Sequence, residues 1–191
     1  MPMNNRFLFF VIHILFCYFI MTSLHAAAPI VLMPAMKIKG LAEEIKFIKS
    51  KTKRAVPFPH LVPKSDERLF AVQSSYDSKP NYREYWNISI TTDPKCVAKT
   101  CLVGSLTASR TDKLDLDYIE APFDPNLKPI PKVKIKLNRG FIVYFTPGHA
   151  EGDWHSPSLE WQQDGVLYHL SWIIASHEKQ TLMGMLRSIT R

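Results

Sequence analysis

The sequence predicts an α+β fold: an antiparallel, hairpin-rich sheet with an N-terminal and a C-terminal helix packed on it. Three observations carry this expectation. Ile38, Leu41, Ile45 and Ile48 recur at helical spacing, and Leu182, Met185, Leu186 and Ile189 do so again near the other end. Between these stretches the apolar period falls to two, the signature of strands with one face inward. Turn signals separate the alternating runs, above all Asp164-Gly165. Runs of hairpin-linked strands bounded by terminal helices belong to the α+β layer class.

The chain opens with Arg6, an uncharged apolar run from Phe7 to Leu24, and small residues at Ala26 to Ala28. Basic, apolar and small segments in that order form a secretory signal peptide. Pro29 disfavours cleavage after Ala28, so residues 1–26 are read as the signal and 27–191 as one exported α+β domain. The alternative is an uncleaved N-terminal membrane anchor, for which the run is short against a bilayer core of about 30 Å. No cysteine follows the run to carry a lipid, and Cys17 lies inside it.

Each later element has its own signal. Residues 29–36 are an apolar, proline-containing lead-in. Helical periodicity over about 39–52 comes with Glu43 and Glu44 early and lysines late, as the helix dipole favours. Pro57, Pro59 and Pro63 make 55–63 an extended edge segment or loop, with His60 a structural residue. Strands are expected at 69–76, 83–91 and 102–110, the first two joined by a turn at 78–81. The acidic, proline-rich stretch 112–131 lacks the glycine and terminal glutamate of a calcium loop and is read as a connection. Lysines alternate with Val133, Ile135 and Leu137, giving a half-buried strand at 132–138. Arg139-Gly140 turns it into 141–146. Asp164-Gly165 joins 158–162 to 166–174, and Ser176 is placed to cap the last helix.

Removing Arg6 from a formal net charge of +7 leaves the processed chain at +6. That charge favours solubility and anionic partners. Lys46, Lys49, Lys51, Lys53 and Arg54 form the densest basic cluster, read as the solvated side of a packed helix. A basic helix lying on anionic membrane is the alternative. Cys96 and Cys101 are the cysteines left after processing and are expected to form one local disulfide in an oxidising compartment. A ring this small restrains a loop rather than the whole fold.

The candidate chemistry is concentrated in 149–155. His149, Glu151, Asp153 and His155 are metal-ligand types on alternate positions. Gly148 and Gly152 break any regular strand, and metalloprotease helices place their histidines four apart rather than six. The stretch is therefore read as a polar hairpin tip, with the four residues kept as weak metal candidates. His169 is opposite in strand parity to Tyr168 and Leu170 and is read as an exposed or cross-strand residue rather than a base. There is no Gly-x-Ser-x-Gly nucleophile elbow, phosphate loop or dinucleotide fingerprint. Most of the aromatics Tyr85, Trp86, Tyr118, Trp161, Tyr168 and Trp172 sit at strand spacing, so core packing is the stronger explanation for them than a ligand or nucleic-acid face.

Trp161, Gly165 and Tyr168 form a Trp-x-x-x-Gly-x-x-Tyr hairpin ahead of a short helix. This resembles bacterial exported domains of unknown function, some of whose relatives form the extracytoplasmic part of anti-sigma-type regulators and lipoproteins. The resemblance extends to "PFPHLVP" at 57–63, Tyr85, "CVAKTC" at 96–101, Gly104-Ser105 and "NRGFIVYFTPG" at 138–148. It covers about residues 39–190 and implies an exported domain with no established activity. After "TPG", relatives carry small residues or cysteines where this chain has "HAEGDWH", so the resemblance assigns no role to His149, Glu151, Asp153 or His155.

The expectation is a non-catalytic exported protein, periplasmic or extracellular, with a binding or structural role in the envelope. Its partner is an envelope protein or an anionic envelope component, with no nucleic acid and no cofactor. The alternatives are a metal-dependent hydrolase using the 149–155 loop and a basic peripheral membrane module using 39–54.

Overall fold

Alternating apolar residues from Phe70 onward assemble a seven-stranded antiparallel sheet in the computed structural model. The structure describes residues 30–77, 84–95, 99–110, 131–148, 156–174 and 177–189. The predicted signal segment, most of the 112–131 connection, Tyr118, Ser176 and the whole 149–155 stretch lie outside those residues. The strands of the large sheet are β3 (Phe70–Asp77), β4 (Glu84–Thr91), β5 (Leu102–Arg110), β6 (Val133–Lys136), β7 (Ile142–Thr146), β8 (Ser158–Gln163) and β9 (Val166–Trp172). A separate two-stranded sheet pairs β1 (Leu32–Pro34) with β2 (Leu61–Pro63). Helix α1 spans Leu41–Thr52 and helix α2 spans Glu178–Ile189.

The strand order is β3-β4-β5-β9-β8-β7-β6. Two meanders, β3 to β5 and β6 to β9, meet where β5 pairs with β9. The chain leaves β5 at the centre and re-enters at the far edge, which explains the length of the connection before β6. The β8–β9 turn is the two-residue hairpin foreseen from the sequence. Asp164 and Gly165 both take positive φ, 51° and 73°, the twist that matches antiparallel strands.

One face of the sheet is apolar and carries the helices. Ile88, Ile90, Leu106, Leu159, Trp161, Leu170 and Trp172 are fully buried, as are Ile48 of α1 and Leu182, Met185 and Leu186 of α2. Helix α1 packs on β3 and β4, while α2 packs on β9 and β2. Ser188 ties α2 to the small sheet: the Leu61 N–H donates to its Oγ at 3.1 Å, and that Oγ donates to the Met185 carbonyl at 2.6 Å.

Three expectations are adjusted by backbone chemistry. Helix α1 starts at Leu41 rather than 39. Lys39 bridges Phe70, and the Ala71 N–H donates to the Lys39 carbonyl, so this residue is spent on the sheet. Gly40 then turns into the helix at φ 83°. A Cβ at Gly40 would lie 3.2 Å from the Ala71 carbonyl oxygen, so glycine fits both the angle and the space. The lead-in and the proline segment pair with each other as β1 and β2. Prolines at Pro34 and Pro63 hid that pairing, and each sits at the end of its strand, where a missing donor is tolerated. The strands expected at 132–138 and 166–174 are shorter, ending at Lys136 and Trp172.

Candidate functional site on the polar sheet face

The face of the large sheet turned away from the helices is lined by polar side chains in register. Across six strands one row reads Asn87, Thr107, His169, Glu160, Tyr144 and Lys134. The next row reads Ser89, Ser105, Ser171, Ser158 and Thr146, a hydroxyl on each of five neighbouring strands. Strand alternation dictates this: the partners two residues along each strand belong to the same face.

Glu160 organises the centre. Its Oε2 accepts from the Lys132 ammonium at 2.7 Å, and its Oε1 lies 3.2 Å from His169 Nδ1. Burial alone would raise the Glu160 carboxyl, but hydrogen bonds from His169 and Lys132 and their positive charge outweigh it. The group is held down at about 2 from an ordinary 4.5. A carboxylate only accepts, so Nδ1 carries the proton in this contact and Nε2 is left to face outward. The His169 side chain is 40% exposed, whereas Glu160 and Lys132 are each 17% exposed. Lys134 places its ammonium 5.6 Å from the Tyr144 ring centroid.

The hydroxyl-bearing groups beside this centre are hydrogen-bonded to one another. Thr107 donates to Asn87 Oδ1 at 3.1 Å, and Asn87 Nδ2 donates to Ser89 Oγ at 2.9 Å. Ser105 and Ser171 share a bond at 2.9 Å. A His–Glu pair is half of an acyl-transfer relay, but the hydroxyl opposite His169, on Thr107, is committed to Asn87. The arrangement is a pre-ordered hydrogen-bonding surface with a cationic edge at Lys132, Lys134 and Lys136.

His169 is thus the cross-strand residue foreseen from parity. Glu160, Lys132 and Tyr144 were not singled out from the sequence. The hairpin turn contains the missing signal, because pairing Gln163 with Val166 forces Glu160 opposite His169. Trp86, Trp161, Tyr168 and Trp172 are buried on the other face, as core packing requires. Trp161 stacks on Tyr168 with centroids 5.3 Å apart, so the Trp-x-x-x-Gly-x-x-Tyr pattern is a cross-strand aromatic pair closed by a tight turn.

The weak metal candidates His149, Glu151, Asp153 and His155 lie outside the described residues. Just before them in the chain, the Gly148 N–H donates to Glu178 Oε2 at 2.9 Å. Among the described residues no cluster of three or more His, Cys, Asp or Glu side chains could hold a metal ion. Cys101 is disulfide-bonded, and Cys96 lies outside the described residues. Lys46, Lys49 and Lys51 on α1 and Lys53 just after it are exposed, whereas Arg54 is half-buried. No described helix is long and apolar enough to cross a membrane.

Comparison with known protein families, curated proteins and solved structures finds no match to this chain. The fold and its polar face therefore define the protein as an α+β domain with one helix-covered face and one patterned polar face.

Proposed function

We propose that this chain is an exported, non-catalytic envelope domain, periplasmic or extracellular after loss of residues 1–26, that docks another envelope component on its polar sheet face. The observation that carries the reading is the Glu160–His169–Lys132 cluster. It is locked in place by internal bonds and sits among hydroxyls already paired with each other. Such rigidity favours recognition, because little side-chain freedom is lost on binding. Glu160 is neutralised by its partners, so the edge lysines leave the surface positive and suited to an acidic segment of an envelope protein or an anionic polymer. A disulfide between Cys96 and Cys101 belongs to the same proposal, as does kinship with extracytoplasmic domains of anti-sigma-type regulators and lipoproteins. Crosslinking from the sheet face in intact cells tests it: a discrete adduct that depends on His169 supports the reading, and its absence removes it.

One observation favours a second reading, peripheral contact with anionic membrane. Phe47 is 41% exposed on α1, with the Lys51 ammonium 5.7 Å from its ring centroid and Lys46, Lys49 and Lys53 exposed nearby in the chain. Sedimentation with anionic vesicles, lost on charge reversal at Lys46, Lys49 and Lys53, would support it. No binding at low salt would exclude it.

A further inference from the structure

Strand β6 forms one end of the large sheet: it pairs with β7, and no described strand pairs with its other side. The hairpin register fixes which of its backbone groups point outward. The Leu137 N–H donates to the Phe141 carbonyl at 2.7 Å, which makes these two residues a hydrogen-bonded pair. Such pairs alternate along an antiparallel ladder, so Ile135 and Val133 turn their backbone groups to Val143 and Phe145. The N–H and C=O groups of Lys134 and Lys136 therefore point away from β7, along the outer edge.

The side chains alternate as well. Val133 and Ile135 share the face of the buried Val143 and Phe145. Ile135 packs on the core, but Val133 stands 42% exposed. Lys134 and Lys136 are exposed on the polar face, so water reaches both sides of this edge. Lys132 is bound to Glu160 at 2.7 Å, which leaves Lys134 and Lys136 to set the charge that a neighbouring strand would meet. Lysines on an edge strand discourage pairing with a neutral or basic strand. A second β6 would set lysine against lysine, and like charges directly opposite repel. An acidic strand turns the same two lysines into an attraction.

We propose that β6 binds its partner by strand addition: an extended segment in which acidic and apolar residues alternate joins the outer edge of the sheet. It hydrogen-bonds to the backbone of Lys134 and Lys136, sets acidic side chains beside their ammonium groups and covers Val133 with an apolar one. Strand addition deepens the docking role proposed above and rests on it for the acidic partner.

The test measures amide hydrogen exchange by NMR on the folded protein, free and with short synthetic peptides. In the free protein the Lys134 and Lys136 amides should exchange freely, while Ile135 and Leu137 are protected. A peptide alternating aspartate with valine should bind saturably and slow exchange at Lys134 and Lys136 about tenfold or more. A peptide of the same composition with its aspartates in one block should bind weakly and slow neither. Combining Lys134→Glu with Lys136→Glu should weaken the aspartate–valine peptide about tenfold or more and favour one alternating lysine with valine. Strand addition is overturned by Lys134 and Lys136 amides already protected in the free protein, by no binding, by equal protection from the block peptide, or by a preference that the two Glu substitutions leave unchanged. Binding that leaves both amides exchanging freely also overturns it, while the docking role of the polar face stands. Protection of both amides by the alternating peptide, without a crosslinked adduct from the sheet face in cells, supports strand addition and removes the docking role.

Discussion

Glu160 faces His169 across the β8–β9 hairpin, with Oε1 3.2 Å from Nδ1, while Lys132 reaches the other carboxylate oxygen from the sheet edge. The segment before β6 is thereby tied to β8 across the intervening β7. The folded carboxyl sits at about 2 against an ordinary 4.5, so its contribution is fully present above pH 5 and fades as pH falls toward 2. Glu160→Gln should destabilise the protein by about 1–2 kcal/mol at pH 7, water screening making this less than the whole shift implies. Melting curves at pH 7 and pH 2 check this: the difference between wild type and variant should shrink at the lower pH.

Gly104 lies directly opposite Trp172, and a Cβ there would sit 2.6 Å from Trp172 Cδ2 and 2.9 Å from the Ser171 carbonyl oxygen. The indole covers the bare backbone of β5. Gly104→Ala should cost about 1–3 kcal/mol through overpacking. Combining it with Trp172→Ala should make the two losses less than additive, because removing the ring removes the clash. Urea denaturation of the four proteins measures the coupling.

Trp161 and Tyr168 stack across the same hairpin, their planes 18° apart. A double-mutant cycle to alanine should give a coupling of about 0.5–1.5 kcal/mol. Coupling near zero would mean that the rings contribute by burial alone.

The proposed Cys96–Cys101 disulfide closes a short loop before β5. Serine at both positions should cost about 2 kcal/mol and leave the sheet intact, as a short ring predicts. Non-reducing peptide mapping identifies the partner of Cys101, and thermal melts give the loss.

Most of the architecture was legible because it rests on local periods. The seven strands of the large sheet, the Asp164-Gly165 turn and both helices each left a pattern within ten or so residues. The β1–β2 pair did not, since Leu32 and Pro63 are far apart in sequence and prolines mask the strand signal. The polar face was legible only in part. His169 was visible by parity, but Glu160–Lys132 joins strands separated by β7 and required the strand order. Arg54 was grouped with the exposed lysines of α1, and the left-handed turn at Lys53 that carries it inward has no sequence mark of its own.

The most direct test of the docking role places a photo-crosslinking residue at Gln162, on the polar face, and a control at Ser50 on the outer side of α1. Irradiation of intact cells should give a discrete adduct from position 162 that is lost with His169→Ala or Lys134→Glu, and none from position 50. An adduct from position 50 alone, or one from position 162 indifferent to both substitutions, would contradict it.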